Sequence, residues 1–148
     1  MKKMMTLFLF LLSWTMVVHA EGIRADVIKV TAGKAAAGYR FSVTLKSDET
    51  GCAQYADWWE VLDGKGVLLY RRILFHSHPD DQPFTRSGGA VRVDPDQTLY
   101  VRGHMNRLGY TGDIFTDSIA KGFKKAEKAP PFPRSLERQE PLPDGCAF

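Results

Sequence analysis

The stretch Tyr39-Arg40-Phe41-Ser42-Val43-Thr44-Leu45-Lys46 decides the fold class. Tyr39, Phe41, Val43 and Leu45 fall on one side of an extended chain, and Arg40, Ser42, Thr44 and Lys46 on the other. Strict period-two alternation marks a strand with one face buried and one in water; helical periodicity would scatter the four apolar residues around the axis. Working outward, Val27, Lys29 and Thr31 alternate with Ile28 and Val30 as a first strand, and residues 47–51 form a polar, glycine-bounded turn. Residues 55–62 and 67–75 flank Asp63-Gly64-Lys65-Gly66 and read as a hairpin. Pro79 and Pro83 interrupt any strand, so residues 76–89 read as a loop, followed by a short strand at 90–93. In the next strand Leu99, Val101 and Gly103 share one face, against Tyr100, Arg102 and His104. Gly109 and Gly112 punctuate a loop, and residues 114–116 form a final strand. About seven short strands with frequent turn signals predict an all-β domain, an immunoglobulin/fibronectin type III-like β-sandwich.

The ends of the chain differ from this middle. Lys2 and Lys3 precede an apolar run over residues 7–18, and Val18-His19-Ala20 offers compact side chains for signal peptidase. The run is short for a bilayer-spanning helix, which needs roughly 20 apolar residues, so residues 1–20 read as a cleaved signal peptide. No cysteine follows a lipobox-like stretch, which argues against a lipid anchor, and no Arg-Arg pair precedes the run, which points to the ordinary secretory route and a periplasmic or secreted product with no membrane span after cleavage. With Lys2 and Lys3 removed, the formal charge of +3 falls to about +1. The body carries no basic block interleaved with aromatics, which excludes nucleic acid as a partner. Residues 21–117 then form the sandwich domain. Residues 118–148 form an extension in which 118–128 has helical character and Pro130, Pro131, Pro133, Pro141 and Pro143 favour a largely disordered tail. Cys52 and Cys146, exported together, read as one disulfide, or as two unrelated thiols.

The densest candidate for chemistry is His76-Ser77-His78-Pro79-Asp80-Asp81-Gln82-Pro83-Phe84-Thr85-Arg86-Ser87. If strand geometry persists, His76 and His78 project to one side, where they can share a zinc or copper ion with Asp80, Asp81 or His104. The alternative is that the two histidines hold the proline-rich loop through hydrogen bonds to its backbone. Arg86 is the candidate clamp for a carboxylate such as Asp57 or Glu60, and Phe84 a plug over the sandwich edge. Trp58 and Trp59, adjacent on a strand, face opposite ways, one into the core and one outward beside Tyr55 or Tyr70. The carboxylates Asp57, Glu60, Asp80 and Asp81 show no spacing that pairs two across a cleft, and Ser77 beside His78 is not a triad. No catalytic constellation is legible.

Three segments together resemble a group of small exported bacterial proteins of uncharacterised function. They are Gly51 with Tyr55-Ala56-Asp57-Trp58-Trp59-Glu60-Val61, the His76–Ser87 loop, and Val101-Arg102-Gly103-His104 with Gly109-Tyr110-Thr111-Gly112. The family pattern has a Tyr-Ala-Asp-x-Trp-Glu-Val strand and a His-x-His-x-x-(Glu/Asp)-Gln-Pro-Phe-Thr-Arg-Ser loop. The resemblance spans residues 25–112, with 82–87 its most specific run, and implies a periplasmic β-rich domain without naming an activity. His76, His78, Gln82, Arg86 and His104 match the pattern, and Asp81 shortens its glutamate. Met105 replaces an aspartate and Leu108 a position that can hold histidine, which thins the polar cluster; Cys52 stands where tryptophan is usual. The resulting expectation is a non-catalytic binding or structural module for a protein or small ligand of the cell envelope. Asp81, Gln82, Phe84 and Arg86 anchor its working loop, and a divalent-metal site at His76, His78 and His104 is the alternative.

Overall fold

The computed structural model describes residues 22–147, so the signal-peptide reading of residues 1–20 lies outside the described residues. The chain forms two antiparallel sheets packed face to face, the all-β sandwich expected from the alternation in residues 39–46. One sheet has the order β1-β2-β5, with β1 (Ala25–Ala35), β2 (Gly38–Ser47) and β5 (Phe84–Val91). The other has the order β4-β3-β6-β7-β8, with β3 (Ala56–Asp63), β4 (Leu68–Ile73), β6 (Leu99–Met105), β7 (Phe115–Asp117) and β8 (Lys124–Lys125).

The core lies between the sheets. Phe41, Val43 and Leu45 of β2 have no solvent exposure, and they meet Trp59 and Val61 of β3 with Leu99 and Val101 of β6. Burying side chains of this size contributes about 1.5–3 kcal/mol each. Phe84 and Val91 close the core from β5, and the plug expected at Phe84 is thus part of the core itself. In β1 a bulge between Val27 and Lys29 breaks the simple alternation, so Val27 and Val30 both point inward and Ile28 is exposed. An extra residue in one strand resets which face follows it.

Three local expectations change. The loop predicted over 76–89 ends early, because β5 begins at Phe84 and pairs with β2 through Phe84↔Leu45, Arg86↔Val43 and Gly88↔Phe41. The helical turn expected at 118–128 is replaced by a turn and β8. Ser118 Oγ accepts the backbone N–H of Lys121, and Gly122, with φ of +81°, ends the turn in the left-handed region that suits glycine.

The third correction concerns the tail. The extension expected to be largely disordered lies along the outer face of the five-stranded sheet, with a short 3-10 turn at Arg134–Arg138 whose Leu136 is buried. Cys52 and Cys146 are joined, their Cα atoms 5.5 Å apart, and close a span of 94 residues. No helix among the described residues is long and apolar enough to cross a membrane.

Candidate functional site

The outer face of the five-stranded sheet carries the polar interior of the molecule. Glu60 of β3 pairs in register with Arg71 of β4 on one side and Arg102 of β6 on the other. Its carboxylate, with no exposure, takes both guanidinium groups: Arg71 Nη2 lies 2.6 Å from Oε2 and Arg102 Nη2 2.7 Å from Oε1. Arg71 also donates to the backbone carbonyls of Leu136, Gln139 and Pro141, so it holds the tail by its main chain. The clamp expected from Arg86 is supplied instead by Arg71 and Arg102, because Arg86 stands on the other sheet, over Phe84, and donates to Thr85 O.

Two pairs further along β3 and β6, on the same face, Trp58 faces His104. Their rings stack at 3.6 Å and 9°. Trp58 is therefore buried beneath polar neighbours and the tail, while Trp59 fills the core; neither indole is the outward surface residue expected from strand alternation. Arg71 lies over the Trp58 ring at 4.4 Å, and Arg102 over the Tyr110 ring at 3.4 Å. The register shift between Ala56 and Trp58 inserts Asp57 as an extra residue, and its carboxylate reaches His104 Nδ1 at 2.6 Å. Bulges commonly re-aim a side chain in this way.

In the neutral tautomer that places the proton on Nδ1, His104 donates to the Asp57 carboxylate and Nε2 is the acceptor. Burial raises the Asp57 pKa above the ordinary aspartate value, outweighing the opposing hydrogen bond and charge of His104. Tyr110, edge-on to His104 at 4.8 Å, has its phenol pushed up to about 12, first by burial and then by the Glu60 charge. The His104 ring is 6 % exposed, and it lines an open depression of about 430 Å³ between the sheet, the 105–109 turn and the tail. Asp57, Trp58 and His104 form the buried floor, half-buried Gly109 and Glu137 a wall, and the exposed Arg107 and Arg138 the rim. Gly109, with φ of +71°, lets the wall come close: a Cβ there would sit 2.7 Å from Glu137 Oε1 and 3.9 Å from His104 Nε2.

The His76–Ser87 segment is built differently. Glu49, buried and not singled out in the sequence, accepts the Ser77 hydroxyl at 3.0 Å and the His78 backbone N–H through Oε2, and the Ser47 hydroxyl through Oε1. Gln82 accepts the Ser47 N–H at 2.9 Å and donates to Ser47 Oγ and His78 O. His78 stacks on Phe84 at 4.0 Å, and burial followed by the Arg86 charge lowers its pKa. His76 pairs with Ala147 at the end of the tail. Asp80 and Asp81 are exposed at the tip of the loop. The three histidines proposed as metal ligands thus have different partners, and among the described residues no group of three or more His, Cys, Asp or Glu side chains is placed to hold a metal ion.

Fold and site together define an all-β sandwich closed by a disulfide, with a buried histidine–aspartate pair opening beneath a strapped tail. No family model matches the chain, and no solved structure matches it. A "Putative lipoprotein" of Halomicrobium mukohataei is 36% identical over 114 residues, 76% of this chain. This chain spans about half the length of that relative, 56% of it.

Proposed function

We propose that this protein is an exported, non-catalytic binding module of the cell envelope whose ligand occupies the depression at His104. The observation that carries the reading is the His104 ring. It is buried, fixed through Nδ1 by Asp57 and covered by Trp58, while the Nε2 edge is left to the depression without a hydrogen bond among the described residues. A polar atom placed in this way is satisfied by a ligand or by water. Among the described residues that line the depression, none beside the imidazole is a serine, threonine or cysteine, and this lining favours binding over acyl transfer. Location outside the cytoplasm is supported by the Cys52–Cys146 bond, which oxidising compartments preserve, and by the lipoprotein name of the Halomicrobium relative. The resemblance to small exported proteins points the same way.

The test has two parts. The protein recovered from envelope fractions of its native host is expected to begin at Glu21 and to carry the disulfide; recovery of an intact Met1 chain from the cytoplasm overturns export. A small-molecule thermal-shift screen should yield compounds that raise the melting temperature of the oxidised protein but not of His104→Gln, because a ligand bound only by the folded state stabilises it by mass action. Equal shifts for both proteins, or none for either, overturn the assignment of the site.

A further inference from the structure

The order of charges from floor to rim narrows the ligand. The floor presents His104 Nε2, the acceptor of the tautomer whose Nδ1–H faces the Asp57 carboxylate at 2.6 Å. The wall adds a second acceptor, the half-buried Glu137 carboxylate against Gly109, which makes no ion pair among the described residues. The charged groups at the rim are Arg107 and Arg138, which are exposed, and neither guanidinium has a carboxylate partner among the described residues. Acceptors lie deep and fixed cations shallow, in a volume of about 430 Å³ that falls within the range of small-molecule sites.

A simple anion would meet Glu137 and the Asp57 charge at the floor, and a simple cation would meet two arginines at the rim. A ligand that satisfies both layers carries a hydrogen-bond-donating cation at one end and a carboxylate a few bonds away. We propose that the depression binds a free α-amino acid, its ammonium group directed to Glu137 and His104 Nε2 and its carboxylate to Arg107 and Arg138. The proposal rests on reading the depression as the binding site. Ammonium–carboxylate and guanidinium–carboxylate hydrogen bonds are the stronger, charge-assisted kind, and Glu137 Oε1 and His104 Nε2 both lie within 4 Å of the point where a Cβ on Gly109 would stand. Asn106 belongs to the frame, because its amide already bonds Cys52 O and Tyr55 N.

The experiment uses the oxidised, signal-free protein with its full tail. L-Alanine, L-glutamate and L-lysine are titrated while the His104 imidazole nitrogens are followed by NMR. Acetate and ethylammonium represent the two halves of the ligand, and L-lactate replaces the ammonium by a hydroxyl. At least one amino acid should perturb His104 Nε2 and bind at least about tenfold more tightly than acetate, ethylammonium or lactate, the loss expected when a charge-assisted hydrogen bond is removed. Glu137→Gln and Arg138→Ala should each weaken that amino acid by about tenfold, whereas Arg134→Ala, on the same turn but outside the depression, should not. If acetate, ethylammonium or lactate perturbs His104 as strongly as every amino acid, the ligand class is wrong and the depression remains a binding site. If no amino acid, control compound or screened molecule perturbs His104, both the class and the site are overturned.

Discussion

Tyr110 shows how much a single side chain is governed by its surroundings here. Its ring lies under the Arg102 guanidinium and edge-on to both Trp58 and His104. Burial keeps the phenol protonated, with the Glu60 charge acting in the same direction, so its pKa rises from 10.0 to about 12. The folded protein binds this proton more tightly than the unfolded chain, whose tyrosines titrate near 10. The contribution of Tyr110 to stability is therefore complete below pH of about 10 and is lost as pH rises towards about 12. Alkaline titration followed by tyrosinate absorbance should show a late step in the native protein that is missing from Tyr110→Phe, and the stability of the variant should fall less steeply through that window. A native protein whose tyrosines all titrate near 10 would place Tyr110 in water.

At the level of strands, Glu60 ties three together: β3 carries it, β4 supplies Arg71 and β6 supplies Arg102. Breaking a buried ion pair by removing one partner costs about 3–5 kcal/mol, because the remaining charges are left unpaired. Glu60→Gln preserves shape and one acceptor but strands two guanidinium groups, so it should lower the unfolding free energy by about 3 kcal/mol in guanidinium titrations. A loss under about 1 kcal/mol would show that water reaches the arginines. Strand β2 was plain in the sequence, since a half-buried strand writes its face directly into Phe41, Val43 and Leu45. The polar face of β6 was plain too, as the alternation of Tyr100, Arg102 and His104 separated it from Leu99 and Val101. What that face meets was hidden. The Asp57–His104 contact depends on a bulge, and β3 is buried on both faces, so it has no polar alternation in which the extra residue would show. Strand β5 was obscured for a related reason: Thr85-Arg86-Ser87-Gly88-Gly89 offers little apolar alternation, and its pairing with β2 is carried by backbone and by Ser42–Ser87 and Thr44–Thr85 hydroxyl contacts.

The molecule as a whole is a sandwich with its own chain tied across one face. The proline content of the tail argued against regular structure, correctly, but irregular backbone can still be bound when its carbonyls find donors. Arg71 supplies those donors to Leu136, Gln139 and Pro141, while buried Leu136 and the Cys52–Cys146 bond fix the strap on either side of them. Removing the disulfide frees a closure of 94 residues, for which chain entropy allows up to about 4.6 kcal/mol. The tail contributes Glu137, Arg138, Leu142 and Pro143 to the depression, so loosening it should dismantle the site before the sheets separate. Trypsin provides the measurement, because Arg134 and Arg138 are exposed within the strap. In the oxidised protein, cleavage there should be slow, since the backbone is held by Arg71 on one side and the disulfide on the other. In Cys146→Ser, early cleavage at Arg134 and Arg138 should precede cuts within the strands, with a lower melting temperature and loss of any ligand response at His104. Equal cleavage rates and equal melting temperatures in the two proteins would mean that Arg71 and Leu136 secure the tail unaided, and that the disulfide adds no measurable restraint to the strap.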